Sequence, residues 1–155
     1  MTGQPSKTRR APKTILLVLL ASIYVGFGIL HLTKTQSMVP IVPGWVRDPV
    51  LMVRFTGFCE IAGGLGLLFR PTRTVAGVML ALYAVCVYPA NLHHAFGHIA
   101  VTGLPSSWWY HGPRLLFQPV FVWWALFVGD VITWPFPRRR DGLGLKQSYG
   151  DSSGR

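Results

Sequence analysis

The sequence predicts an all-α fold, a polytopic membrane protein built as an antiparallel four-helix transmembrane bundle. Three observations predict it. Half of the 155 residues are hydrophobic and only 13% are charged, against roughly 25% charged in an ordinary soluble domain. Four apolar runs of roughly 18–21 residues fill much of the chain, and at 1.5 Å rise per residue each matches a hydrocarbon core about 30 Å thick. The Lys and Arg residues gather at the ends of those runs instead of spreading over a polar surface, so the net charge of +10 reads as a topology signal and not as a nucleic-acid footprint.

Met1–Lys13 is polar, holds Pro5 and Pro12 and carries Lys7, Arg9, Arg10 and Lys13; its composition predicts a disordered basic tail. It resembles the basic start of a signal peptide, but no small-x-small cleavage site follows, so the first apolar run reads as an uncleaved helix. That helix is expected over Thr14–Leu32, the second over Val50–Phe69, the third over Thr74–Asn91 and the fourth over Arg114–Trp134. Together they make one transmembrane domain over residues 14–134. The turn Arg70-Pro71-Thr72-Arg73 is short enough to force the second and third helices into an antiparallel hairpin. Residues 135–155, basic at first and then rich in Gly and Ser, read as a second disordered tail.

Orientation follows from the basic residues. One side collects Lys7, Arg9, Arg10, Lys13, Arg70, Arg73, Arg138, Arg139, Arg140 and Lys146, and the other has chiefly Lys34, Arg47 and Arg114. The excess places both termini in the cytoplasm, with Trp45, Trp108, Trp109 and Tyr110 at the outer rim and Trp134 with Phe136 at the inner one. The outer segment Met38–Trp45 is apolar and broken by Pro40 and Pro43, so it is expected to lie in the interface or fold back as a lid, with no regular helix. Small residues mark the expected packing faces: Ser22 and Gly26, Gly57 and Gly64, and Gly77, Ala81 and Ala84.

The polar residues inside the runs are the informative ones. Glu60 falls about ten residues into the second helix, roughly 15 Å down and near the bilayer midplane, where a carboxylate costs about 2.5–3.5 kcal/mol unless it faces the bundle, finds a partner or protonates. Gly57, Glu60 and Gly64 share a helix face, which turns Glu60 inward. His31, Arg54, Asn91 and Gln118 count to a common depth of roughly 5 Å below the outer rim, with Arg114 at the rim. Such groups can act on a ligand, or can simply bond one another to hold the bundle, with Arg114 snorkelling to headgroups. His94 and His98 stand four residues apart and would share a face on a continued third helix, but no carboxylate or cysteine motif accompanies them, so interfacial hydrogen bonding is preferred to a metal site. Cys59 and Cys86 form no C-x-x-C pair. No Gly-rich phosphate loop, nucleophile elbow, haem motif or internal repeat is present.

Between Ile15 and Trp134, the stretches Gly28-Ile29-Leu30-His31, Thr56-Gly57-Phe58-Cys59-Glu60-Ile61-Ala62-Gly63-Gly64-Leu65-Gly66-Leu67-Leu68, Tyr88-Pro89-Ala90-Asn91 and Pro113-Arg114-Leu115-Leu116-Phe117-Gln118-Pro119 together resemble the DoxX-like family of small bacterial membrane proteins. The resemblance carries the family pattern onto His31, Glu60, Asn91, Arg114 and Gln118. Arg54, the histidines around His93, His94 and His98, and the segment Ser106–His111 depart from that pattern. The resemblance implies a bacterial inner membrane, quinone-linked oxidation of sulfur compounds or complexes that handle oxidative stress, and a subunit role beside redox partner proteins.

These readings lead to three expectations. The first is an accessory subunit, not itself a catalyst, that binds a quinone-like molecule in a cavity open toward the outer leaflet. Glu60 would exchange the proton, and His31, Asn91, Arg114, Gln118 and Arg54 would hold the polar head. The second is a non-enzymatic assembly factor whose polar layer sets helix register. The third is a proton-coupled transporter, which so short a chain would support only as a homo-oligomer.

Overall fold

A computed structural model describes residues 7–97, 99 and 107–134. Among them every regular element is helical, which gives the all-α class: α1 (Lys7–Thr33), α2 (Thr35–Met38), a 3-10 turn (Val39–Ile41), α3 (Pro49–Leu68), α4 (Arg73–Phe96) and α5 (Trp108–Val128). Three of these, over Pro12–Thr33, Pro49–Leu68 and Arg73–Phe96, are long and apolar enough to cross a membrane. Only 28% of an 18-residue window in each is buried inside the protein, and the outward side chains include Ile15, Leu19, Phe27, Phe55, Phe58, Met79 and Leu82. An apolar exterior of this extent needs a non-aqueous surround. The fourth expected span, α5, is a helix of comparable length but is not among those three; Trp108, Tyr110, His111, Arg114 and Gln118 interrupt its apolar run.

The helix ends differ from those read in the sequence, for local reasons. α1 already runs at Lys7, where a disordered tail to Lys13 was expected; Lys, Arg and Ala are good helix formers, and extending a helix already nucleated by its apolar turns is cheap. α4 continues past Asn91 to Phe96, carrying Pro89 inside it. α5 starts six residues before Arg114, because the Ser107 hydroxyl accepts from the Trp109 N–H and caps the first turn. It stops at Val128 because Asp130 adopts φ 64° while Asp130 N–H donates to Phe127 and Val131 N–H to Leu126, the paired bonds of a Schellman ending. Asp48 caps α3 by accepting from Leu51 N–H, with Pro49 in the first turn. Two of the last carbonyls of α3 are met by side chains of the turn, Gly66 by the Thr72 hydroxyl and Leu67 by Arg73 Nε.

Contacts between helices run in opposite chain directions. A Cβ at Gly28 would stand 2.6 Å from the Gly57 carbonyl, and one at Gly64 2.9 Å from the Ala21 carbonyl, so α1 and α3 touch backbone to backbone. Gly77 meets Ala125 and Gly129 in the same way between α4 and α5, and Gly66 meets Ala76 between α3 and α4. Gly57, Gly64 and Gly77 are thus packing residues as expected, but Ser22 is exposed and Gly26 has nothing within 4 Å. The buried face of α1 holds Leu17, Leu20, Ala21, Tyr24 and Gly28, about half a turn away, and the four-and-three spacing of Leu17, Ala21, Tyr24 and Gly28 matches Val53, Gly57, Glu60, Gly64 and Leu67 on α3.

The apolar core of Leu17, Leu20, Leu67, Leu80, Ala125 and Val128 lies toward the tail end, where α1 begins and α5 finishes. There Asp130 pairs with Lys13 at 2.6 Å and stands 3.9 Å from Arg73, linking α1, α4 and α5. At the opposite, loop end, the segment after α1 bends into α2 and the 3-10 turn and leans on α4, where His93 Nδ1 is 3.2 Å from the Ile41 carbonyl. The segment holds one short helical turn, Thr35–Met38, before the 3-10 turn that contains Pro40. The expected tail over residues 135–155, with Phe136 and the run Arg138–Arg140, lies outside the described residues.

Candidate functional site

Glu60 is 5% exposed in the middle of α3. Helical side chains lean toward the N-terminus of their own helix, and because α1 and α3 are opposed, His31 and Glu60 lean toward each other. Gly28 and Gly57 leave the room between them: a Cβ on Gly57 would lie 3.0 Å from the His31 Cβ. His31 Nδ1 stands 3.0 Å from Glu60 Oε2 and 2.9 Å from the Phe27 carbonyl. A proton on Nδ1 can serve either the Phe27 carbonyl or Oε2, and the Tyr83 hydroxyl also reaches the Glu60 carboxylate, while Oε2 itself meets no well-aligned donor. Around it lie Cys59, Tyr24 and the Tyr83 hydroxyl, the last also within reach of Thr56.

Such an oxygen has two chemical options. It can take up a proton, or it can accept one from a donor brought to it. A buried acceptor without an aligned donor costs about 1–3 kcal/mol.

A second polar cluster joins α4 to α5. Arg114 donates from Nη2 to Asn91 Oδ1 at 2.5 Å and from Nη1 to His94 Nδ1 at 2.8 Å, with Tyr110 beneath the guanidinium at 5.6 Å from ring centroid. Asn91 Nδ2 donates to Gln118 Oε1 at 3.2 Å, and Gln118 Nε2 to the Ala84 carbonyl at 2.6 Å. His94 and His111 are buried and meet edge to face at 4.7 Å. Each amide here uses both a donor and an acceptor on protein partners.

The five residues expected at one ligand therefore fall into two groups. His31 and Glu60 form one, and Asn91, Arg114 and Gln118 form the other. No hydrogen bond or ion pair joins the groups among the described residues; Tyr24, Tyr83 and Phe121 pack edge to face where α1, α4 and α5 meet. Arg54 belongs to neither. It is exposed and lines a surface groove with the segment after α1. Of the histidines weighed as a metal pair, His94 takes a hydrogen bond from Arg114 and His98 lies outside the described residues; no group of three His, Cys, Asp or Glu that could hold a metal forms among the described residues. Tyr83 and Thr56 were not singled out from the sequence, although a tyrosine inside an apolar run needs a partner for its hydroxyl.

A family model described as "Domain of unknown function (DUF8561)" matches residues 20–129, a span that contains both polar clusters and leaves Lys13 and Asp130 just outside. No curated protein and no solved structure matches the chain.

Proposed function

The chain belongs to the family described as Domain of unknown function (DUF8561), and for it we propose a four-span, DoxX-like membrane protein in which Glu60 and His31 exchange a proton with a quinone-like ligand. In this reading α5 is the fourth span of an antiparallel bundle, both termini face the cytoplasm of a bacterium, and the protein serves a membrane redox system as an accessory subunit. What supports the fourth span is its 21-residue length and its opposed packing on α4. Support for the orientation comes from the excess of Lys and Arg at the tail end.

The observation that carries the chemistry is the buried Oε2 of Glu60, 3.0 Å from His31 and without a well-aligned donor. Ionised, that oxygen accepts from a quinol hydroxyl; protonated, it donates to a quinone carbonyl. His31 beside it balances the charge in either state. A partner protein would supply or remove the electrons. The Asn91–Arg114–Gln118 chain would hold the loop-end halves of α4 and α5 in register beside the ligand.

A non-enzymatic assembly role is the second reading. It is favoured by the Asn91–Arg114–Gln118 chain being closed on itself and on His94 and Ala84, as a purely register-setting network would be.

The test is purification in mild detergent with mass spectrometry of the co-purifying quinones, lipids and proteins. A quinone retained by the parent and lost about tenfold on Glu60→Gln is expected, the equivalent of one good hydrogen bond to a charged group. Equal retention by the variant removes the proton-exchange mechanism, and a protein client with no small molecule turns the assignment to the assembly reading.

A further inference from the structure

Arg54 presents a separate problem. It sits five residues into α3, about 7.5 Å below the start of that helix, and it is exposed on a stretch apolar enough to cross a membrane. Residues 32–37 curl beside it to form a groove of about 280 Å³ lined mostly by polar residues, in which Lys34, Gln36 and Ser37 join Arg54. Neither the Lys34 ammonium nor the Arg54 guanidinium has a hydrogen-bond or ion-pair partner among the described residues. The described acids are engaged elsewhere: Asp48 with Leu51 N–H, Glu60 beside His31, and Asp130 with Lys13.

Two cations lining one groove with no anion paired to either among the described residues, at the depth where a long Arg side chain reaches headgroup level, define the ligand by what is missing. A guanidinium fork matches two phosphate oxygens, an ammonium adds a point charge, and Gln36 and Ser37 offer neutral donors. We propose that this groove binds the phosphate diester of an anionic phospholipid headgroup. The site rests on α3 crossing a membrane, and it is independent of any chemistry at Glu60.

The full chain in mild detergent, titrated with phosphatidylglycerol and observed by native mass spectrometry, tests it. One phosphatidylglycerol retained per chain is expected, while diacylglycerol with the same acyl chains is not retained. Replacing both Lys34→Gln and Arg54→Gln should weaken retention about thirtyfold, from the loss of two cations near an anionic headgroup. Arg54→Lys keeps the charge without the fork and should bind between the two. Glu60→Gln should bind the lipid as the parent does, which separates this site from the proton chemistry. Equal retention of diacylglycerol, or unchanged binding by the double variant, overturns the proposal. Displacement of the lipid by inorganic phosphate would overturn the lipid source and assign the groove to a free anion. If the double variant loses its helical circular dichroism, the diacylglycerol comparison on the parent and the Arg54→Lys variant decide in its place.

Discussion

A carboxylate buried among apolar helices depends on its partner more than on its packing. Removing His31 takes away the ring 3.0 Å from the Glu60 carboxyl, so His31→Ala should destabilise the protein by about 1–3 kcal/mol, the cost of leaving a buried polar group without its partner. Thermal unfolding in detergent measures this, and Glu60→Gln on the His31→Ala background should recover part of the loss. Gln118→Leu is a milder change: it removes the bonds to Ala84 and Asn91, and about 1 kcal/mol is expected by the same measurement, in line with single polar contacts between membrane helices. Glu60 was legible in the sequence because an acid in the middle of an apolar run has few places to point. Its pairing with His31 was not, because a count along each helix gives depth and says nothing about which helices adjoin or how far each is rotated.

The glycine seam between α1 and α3 is what brings that pair together, and helix-scale substitutions separate its two sides. Gly57→Ala would place a Cβ 3.0 Å from both the Gly28 carbonyl and the His31 Cβ; it should cost about 1–3 kcal/mol as other overpacked sites do, and it should move His31 away from Glu60 as the two helices part. Gly26→Ala, with open space around it, should leave the unfolding temperature unchanged or raise it slightly through better helix propensity. Both small residues look alike in sequence. Only the phase of the buried stripe, Leu17, Ala21, Tyr24 and Gly28, tells them apart, and in a run apolar on every side that phase leaves little trace. Helix boundaries were legible where a side chain makes them: Asp48-Pro49 begins α3 as its residues suggest, and Ser107 could have been recognised as the cap of α5. The ending at Asp130 rests on a backbone conformation that is rare outside glycine.

At the scale of the molecule, charge placement and run length were enough to read a membrane protein, because lipid demands helices of one length whatever their contacts. The single polar layer expected from depth does not form as one cluster. Residues at equal depth on four helices need not face one centre, and here aromatic rings stand where α1, α4 and α5 meet while Arg54 turns outward. If α5 is the fourth span, tags fused to the two termini should be accessible from the same side of sealed vesicles, since an even number of crossings returns the chain to its starting side. Tags on opposite sides would leave α5 at the interface. The proton-exchanging role of Glu60 is tested most directly by infrared difference spectroscopy of the reconstituted protein across pH, with and without a quinone analogue. The expected result is a carbonyl band of a protonated carboxyl that titrates, disappears in Glu60→Gln and shifts when the analogue is added. A spectrum in which no titrating carboxyl band is lost in Glu60→Gln, or in which the analogue leaves that band unmoved, would contradict it.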